Sequence, residues 1–134
     1  MGRIRVFLAD DHDAMRERVA KLLATECDIV GSATDGRETI VSVTKLKPDV
    51  LVLDITMHDL SGIEVARRLK ENGVGLPIVF LTVHEDPEFA KEALEIGALG
   101  YVIKPRMTSD LMVAVKEAHA GRSFISKSVL SALD

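Results

Sequence analysis

Five residues able to do chemistry stand directly after short apolar runs. Asp10 and Asp11 follow "IRVFLA", Asp54 follows "VLVL", Thr82 follows "IVFL" and Lys104 follows "YVI". A buried strand that stops on a carboxylate either wastes a charge or aims it. If these runs are strands of one parallel sheet, their carboxyl ends share the edge at which open α/β sheets bind ligands. Three carboxylates, a hydroxyl and an ammonium then converge from four strands. Two like charges about 4 Å apart repel by roughly 4 kcal/mol at an effective dielectric near 20. Such a cluster relaxes by protonation or by taking a cation. Hard oxygen donors suit Mg2+, which keeps several waters and uses one or two carboxylates plus a phosphate. Lys104 and Thr82 remain as donors to an anion bound against the metal. A carboxylate nucleophile, a metal and an anion cradle together make a phosphoryl-transfer site.

Each fragment alone has a plainer account. "DDHD" suits the N-terminus of a helix, where acids are favoured. Asp54 can be a loop acid, Lys104 its ion-pair partner, and "KP" carries almost no information. The convergence at four strand ends is what separates the functional account from the plain one. His12, His58 and His84 fall near the same edge, but no HExxH, paired cysteine or helical histidine spacing accompanies them. They read as solvent-side loop residues, and His119 as a surface helix residue.

The elements that must position these groups follow from periodicity. Apolar runs at Ile4 to Ala9, Ile29 to Ala33, Val50 to Leu53, Ile78 to Leu81 and Tyr101 to Ile103 predict strands. All but the second are apolar on both faces, as parallel strands covered on both sides require. Between and after them Met15/Val19/Leu22/Leu23, Ile40/Val43/Leu46, Ile63/Ala66/Leu69, Phe89/Ala93/Ile96 and Leu111/Val115/Ala118 recur at helical spacing. Asp13, Asp35, Ser61, Asp86 and Thr108 are the expected N-caps. Five β–α units predict an α/β, flavodoxin-like, doubly wound five-stranded parallel sheet of order 2-1-3-4-5. Five helices complete three layers, α/β/α. Residues 1–122 form the domain, and residues 123–134, which break the rhythm, read as a frayed helix extension or the start of a linker.

At 134 residues, 47% apolar and 28% charged, the chain suits one globular domain. A net charge of −4 argues against the domain itself binding nucleic acid. One cysteine, Cys27, allows no internal disulfide and reads as core. "MGRIRVFLADD" meets acid after one short apolar run, unlike a signal peptide or membrane span, so a cytoplasmic location is expected.

The motifs "FLADDHDAMRE", "PDVLVLDITMHDLSGIEVARRL", "LPIVFLTVHED" and "ALGYVIKP" resemble the receiver domain of bacterial two-component response regulators, from Arg3 to Gly121. The resemblance implies that Asp54 is the phosphoacceptor, attacking a phosphohistidine on a sensor histidine kinase or phosphotransfer protein. It implies Mg2+ held by Asp11, Asp54 and the backbone carbonyl of Thr56, with Asp10 acting through bound water. Lys104 then pairs with a phosphoryl oxygen, and Thr82 moves to meet another while Tyr101, the switch aromatic, turns inward. A cis Lys104–Pro105 bond is also implied. The chain catalyses only its own phosphorylation and dephosphorylation on this reading.

"LGYVIKP" and "AGRSFISKSVLSAL" resemble receivers preceding a LuxR-type (NarL/FixJ-like) helix-turn-helix. Transcriptional output through a DNA-binding domain outside these residues follows, with phosphorylation-dependent homodimerisation as a further partner expectation. His58 stands where the family usually has proline, and Val83 where alanine or glycine is usual. Thr56 and His84 occupy positions that influence acyl-phosphate lifetime. A stand-alone receiver acting on a protein partner is the alternative output. A haloacid dehalogenase-like phosphatase needs an acid where Thr56 stands. A flavin carrier needs a hydroxyl-rich phosphate loop where "DDHD" stands.

Overall fold

Successive residues of the central strands feed two separate apolar cores. Val6 and Leu8 pack on one side of the sheet with Val52 and Val79, while Phe7 and Ala9 pack on the other with Leu53 and Phe80. The structure, a computed structural model, describes residues 2–133. Residues 1 and 134, the outer limits of the two segments read from the sequence, lie outside it. The chain runs β1 (Ile4–Ala9), α1 (Asp13–Ala24), β2 (Cys27–Ala33), α2 (Gly36–Leu46), β3 (Val50–Leu53), α3 (Gly62–Glu71), β4 (Ile78–Thr82), α4 (Pro87–Glu95) and β5 (Gly100–Ile103). A 3-10 turn (Lys104–Arg106), α5 (Met107–His119), β6 (Phe124–Ile125) and α6 (Lys127–Ala132) complete it.

Every strand pairing is parallel, in the order β2-β1-β3-β4-β5-β6. The first five strands take the expected order. Helices α1 and α5 cover the core containing Val6, and α2, α3 and α4 cover the core containing Phe7. The doubly wound α/β/α fold is thus as the sequence predicts, with six strands and six helices among the described residues rather than five of each.

The additional pair comes from the tail. β6 pairs with β5 through Gly100–Phe124 and Tyr101–Ile125. Ser126, fully buried, accepts a hydrogen bond from the Ile103 backbone N–H (3.2 Å) and donates to Asp110 Oδ2 (2.9 Å). Val129 of α6 is fully buried in the core containing Phe7. Residues 124–132 thus form a short strand and a short helix docked on the sheet edge.

Three local expectations are corrected. Helix α1 is preceded by His12, with Asp13 as its first helical residue, and the helix after β5 is preceded by Arg106 rather than Thr108. The second difference arises because the 3-10 turn runs straight into α5. No peptide bond among the described residues is cis, so Lys104–Pro105 is trans. Pro105 sits in that turn, where its fixed φ fits and a backbone N–H is not needed for a helical bond.

Candidate functional site

The ladder between β1, β2 and β3 continues into the acidic residues. Asp10 N–H donates to the Ala33 carbonyl (3.1 Å), and Asp54 N–H donates to the Ala9 carbonyl (3.0 Å). Both side chains are therefore launched from backbone fixed by neighbouring strands. Gly62, the first residue of α3, closes over them from the other direction. Its N–H donates to the Ile55 carbonyl at 2.6 Å, and a Cβ there would lie 2.1 Å from the Asp54 carbonyl oxygen. Only glycine lets the helix approach so closely.

Lys104, directly after β5, reaches both acids, its Nζ 2.9 Å from Asp10 Oδ2 and 3.0 Å from Asp54 Oδ2. All three side chains are buried, so these are charge-assisted bonds in a medium that screens them poorly. Burial raises the Asp54 pKa; the Lys104 charge and hydrogen bond pull it down without cancelling that effect, and the Asp10 charge adds to the rise. For Lys104 burial acts downward, but hydrogen bonds and charges from Asp10 and Asp54 outweigh it and raise the pKa. The ammonium stays charged and serves as an internal counter-ion.

Lys104 leaves Asp11 unanswered. Asp11 Oδ1 is buried and has no hydrogen bond within the described fold, its ion-pair neighbour being the exposed His12 ring, with Nδ1 at 3.0 Å. Ligand atoms of Asp10, Asp11, His12 and Asp54 all lie within 4.8 Å of one another. A buried carboxylate oxygen that Lys104 does not reach, inside a cluster of three carboxylates served by one lysine, fits a hard divalent cation. Asp10 Oδ1 accepts from the His12 backbone N–H (2.9 Å) and its Oδ2 faces Lys104, so both of its oxygens are already engaged.

Thr82 and Tyr101 meet at a different partner, the backbone of His84. Thr82, at the end of β4 and fully buried, accepts a hydrogen bond from the His84 N–H (3.2 Å). The Tyr101 hydroxyl donates to the His84 carbonyl (2.7 Å), and burial followed by the Asp86 charge pushes its pKa well up. Tyr101 is completely buried and thus already inward. The His84 ring lies 4.6 Å from that of Phe89, and its Nε2 is 2.8 Å from the Thr56 hydroxyl. Thr56 N–H donates to Asp54 Oδ1 (3.3 Å), so a chain of contacts runs from Asp54 through Thr56 to His84 and the Thr82–Tyr101 pair.

Asp10, Asp11, Asp54 and Lys104 are therefore one cluster, while Thr82 and Tyr101 join at its margin through His84. The sequence offered no sign of that last arrangement, because the bonds run through backbone atoms. Asp59 was also missed. Its carboxylate accepts from the Gly36 and Arg37 N–H groups at 2.7 and 3.0 Å, tying the loop after Asp54 to the start of α2.

Residues 6–116 match the model of the response regulator receiver domain. The chain belongs to that family. This receiver is 33% identical over 132 residues to the response regulator GacA of Pseudomonas viridiflava, covering 97% of this chain and 62% of that protein. It is 37% identical to the DNA-binding transcriptional activator DevR/DosR of Mycobacterium tuberculosis, covering 97% of this chain and 61% of the other. The chain thus spans about three-fifths of the length of these curated relatives.

Among solved structures, a LuxR-family two-component response regulator from Aurantimonas sp. SI85-9A1 superposes with a TM-score of 0.94 at 30% identity. The match covers 98% of this receiver and 96% of that chain. The isolated receiver of RcsB from Salmonella enterica serovar Typhimurium, with phosphomimetic BeF3−, gives 0.90 at 28% identity, covering 99% and 100%. These similarities support the LuxR-type subfamily. Among the described residues no helix is long and apolar enough to cross a membrane.

Proposed function

We propose that this receiver is the phosphoacceptor of a cytoplasmic two-component relay, with Asp54 as the residue that takes the phosphoryl group. The observation that carries the reading is the Lys104 bridge to Asp10 and Asp54, beside a buried Asp11 oxygen that Lys104 does not reach. The donor is a phosphohistidine on a sensor histidine kinase or phosphotransfer protein. An Asp54 carboxylate oxygen attacks phosphorus, the P–N bond breaks, and its electron pair returns to the imidazole. An acyl phosphate on Asp54 is the product.

Asp11, Asp54 and the Thr56 carbonyl would hold Mg2+, with Asp10 acting through water. When bound, the ion neutralises charge on the phosphoryl oxygens. Lys104 orients the attacking carboxylate before transfer and then pairs with a phosphoryl oxygen. Thr82 exchanges its bond from the His84 N–H for one to another phosphoryl oxygen. The shared His84 backbone passes that change to Tyr101 and so to the face of α4, β5 and α5. Transcriptional output then runs through homodimerisation and a DNA-binding domain outside the 134 residues, in keeping with the similarity to DevR/DosR, a DNA-binding transcriptional activator. The chain's catalysis is confined to its own phosphorylation and dephosphorylation.

Intact-mass measurement with Mg2+ and acetyl phosphate or phosphoramidate tests the chemistry. One phosphoryl increment is expected on the native chain, none on Asp54→Asn, and none when the metal is chelated. Equal labelling of Asp54→Asn would sink the assignment.

A further inference from the structure

Where the β6 ladder ends, a side chain takes over from the backbone, one residue before Lys104. Ser126 N–H donates to the Tyr101 carbonyl (2.9 Å). A parallel ladder would next bring the Ser126 carbonyl to the Ile103 N–H. That carbonyl has instead turned into α6, where it accepts from the Val129 and Leu130 N–H groups, each at 3.0 Å. The Ser126 hydroxyl fills the gap. Its Oγ accepts from the Ile103 N–H (3.2 Å) and gives its proton to Asp110 Oδ2 (2.9 Å).

Both ends of this bridge bear on one short segment. Ile103 precedes the 3-10 turn Lys104–Arg106, and Asp110 lies in the first turn of α5, which follows it directly. Ser109 Oγ adds a second tie, 3.0 Å from Asp110 Oδ1 and 3.1 Å from the Arg106 carbonyl. The turn is thus held across its base. Ser126 and Asp110 are both buried, so water does not replace these bonds. The position needs a group that accepts and donates at once, which a hydroxyl does and alanine does not.

Lys104 depends on such a base. Its ammonium sits on a flexible four-carbon stem and must meet Asp10 Oδ2 and Asp54 Oδ2 together, at 2.9 and 3.0 Å. Where the turn stands sets where Nζ can reach. A misplacement of about 1 Å, arising far from the chemistry, is enough to cost about a hundredfold in rate.

Resting on the proposed phosphoacceptor reading, we infer that Ser126 and Asp110 are positioning residues for phosphoryl transfer, acting through the turn that carries Lys104. Their hydrogen bonds go to Ile103, Ser109 and each other, and none goes to the acidic cluster. The tail thereby contributes to the chemistry at Asp54 as well as to the sheet edge.

Initial rates of phosphorylation by phosphoramidate, followed by intact mass over a range of Mg2+ concentrations, test the inference. Ser126→Ala is expected to cut the rate at saturating Mg2+ by about tenfold or more. The Mg2+ concentration giving half that rate should stay within about threefold of native, because the acids and not Lys104 would hold the ion. Asp110→Ala should slow transfer as Ser126→Ala does. Asp110→Asn keeps an acceptor for the Ser126 hydroxyl and should stay within about threefold of the native rate. Val129→Ala opens a cavity under α6 but leaves the bridge in place, and should also stay within about threefold. Far-UV circular dichroism confirms that each rate is read on a folded chain.

Transfer at the native rate in folded Ser126→Ala overturns the inference and leaves the phosphoacceptor reading standing. Equal slowing in Val129→Ala also overturns it, because general loosening of the tail then accounts for the loss. If Ser126→Ala does not fold, the Asp110 pair decides, and equal rates in Asp110→Ala and Asp110→Asn overturn the inference. A native chain that takes no phosphoryl group from phosphoramidate with Mg2+ brings down the phosphoacceptor reading and this inference with it.

Discussion

Asp54 ends β3 with its side chain buried and shares one ammonium with a second carboxylate, Asp10. Its raised pKa means that the fold disfavours the charged form, chiefly by burial. The sign follows from linkage: ionised Asp54 costs stability at neutral pH, and the cost shrinks as pH falls through the folded pKa. It is gone below the ordinary aspartate value of 3.8. Asp54→Asn removes the charge, keeps the shape, and leaves Lys104 paired with Asp10. Without divalent ions at pH 7, the variant is expected to unfold a few degrees above the native chain. A change of about 1 kcal/mol moves the midpoint of a domain this size by roughly 3 to 5 °C. The difference should narrow toward pH 4 and also when Mg2+ is added, since bound metal relieves the same charge. Thermal unfolding at two pH values, with and without Mg2+, checks this. A native chain more stable than Asp54→Asn without metal would mean that Lys104 outweighs burial.

At the scale of elements, the loop after the acidic strand is tied to a helix on its flank. Helix α2 begins with three N–H groups, Gly36, Arg37 and Glu38, held by two carboxylates. Asp35 caps from within, and Asp59 reaches over from the loop that also carries Thr56 and His58. Desolvation is the largest single influence on Asp59 and acts upward, yet the backbone donors, Gly36 and Arg37 foremost, together outweigh it and lower the pKa to about 2. Asp59→Ala should cost about 1 kcal/mol, the ordinary value of a lost cap. Asp59→Asn should cost less, since one amide oxygen still accepts. Because the folded pKa is depressed, the contribution is present above about 4 and is lost as pH falls toward 2. Urea unfolding of the native and alanine chains should therefore differ at pH 7 and converge near pH 2.

What the sequence revealed at this scale has a physical boundary. Strands of four to six apolar residues, and the polar residue that ends each, are visible because burial on two faces leaves an unbroken run. The cluster of Asp10, Asp11, Asp54 and Lys104 was legible for that reason. Asp59 was not, because a carboxylate that caps a distant helix looks like any loop acid. His84 was noticed only as a position, since its contacts with Thr82 and Tyr101 use its backbone. Two-residue β6 is too short to show a period, and α6 has a single fully buried residue, Val129.

For the whole molecule, the tail gives the sheet's edge and the region of Thr82 and Tyr101 a shared support. β6 covers the outer side of β5, with Phe124 and Ser126 N–H groups donating to the Leu99 and Tyr101 carbonyls at 2.8 and 2.9 Å. Ser126 Oγ satisfies the Ile103 N–H, one residue before Lys104, and links it to buried Asp110 on α5. At the other end of the tail, Ser128 Oγ donates to Glu85 Oε1 (3.3 Å) in the loop that carries His84. Ser126→Ala strands the Ile103 N–H and one Asp110 oxygen in a buried place, which should cost about 1 to 3 kcal/mol. Deleting residues 123–134 does this and also uncovers β5 and the pocket filled by Val129, so its cost should exceed that of Ser126→Ala. Hydrogen exchange at the Ile103 amide should accelerate in both variants, because that proton loses its Ser126 acceptor. Ser128→Ala, whose contact is exposed, should leave the unfolding midpoint within about 0.5 kcal/mol. If the shortened chain unfolds at the native urea midpoint, with Ile103 equally protected, the tail is a passive appendage and β5 needs no sixth strand.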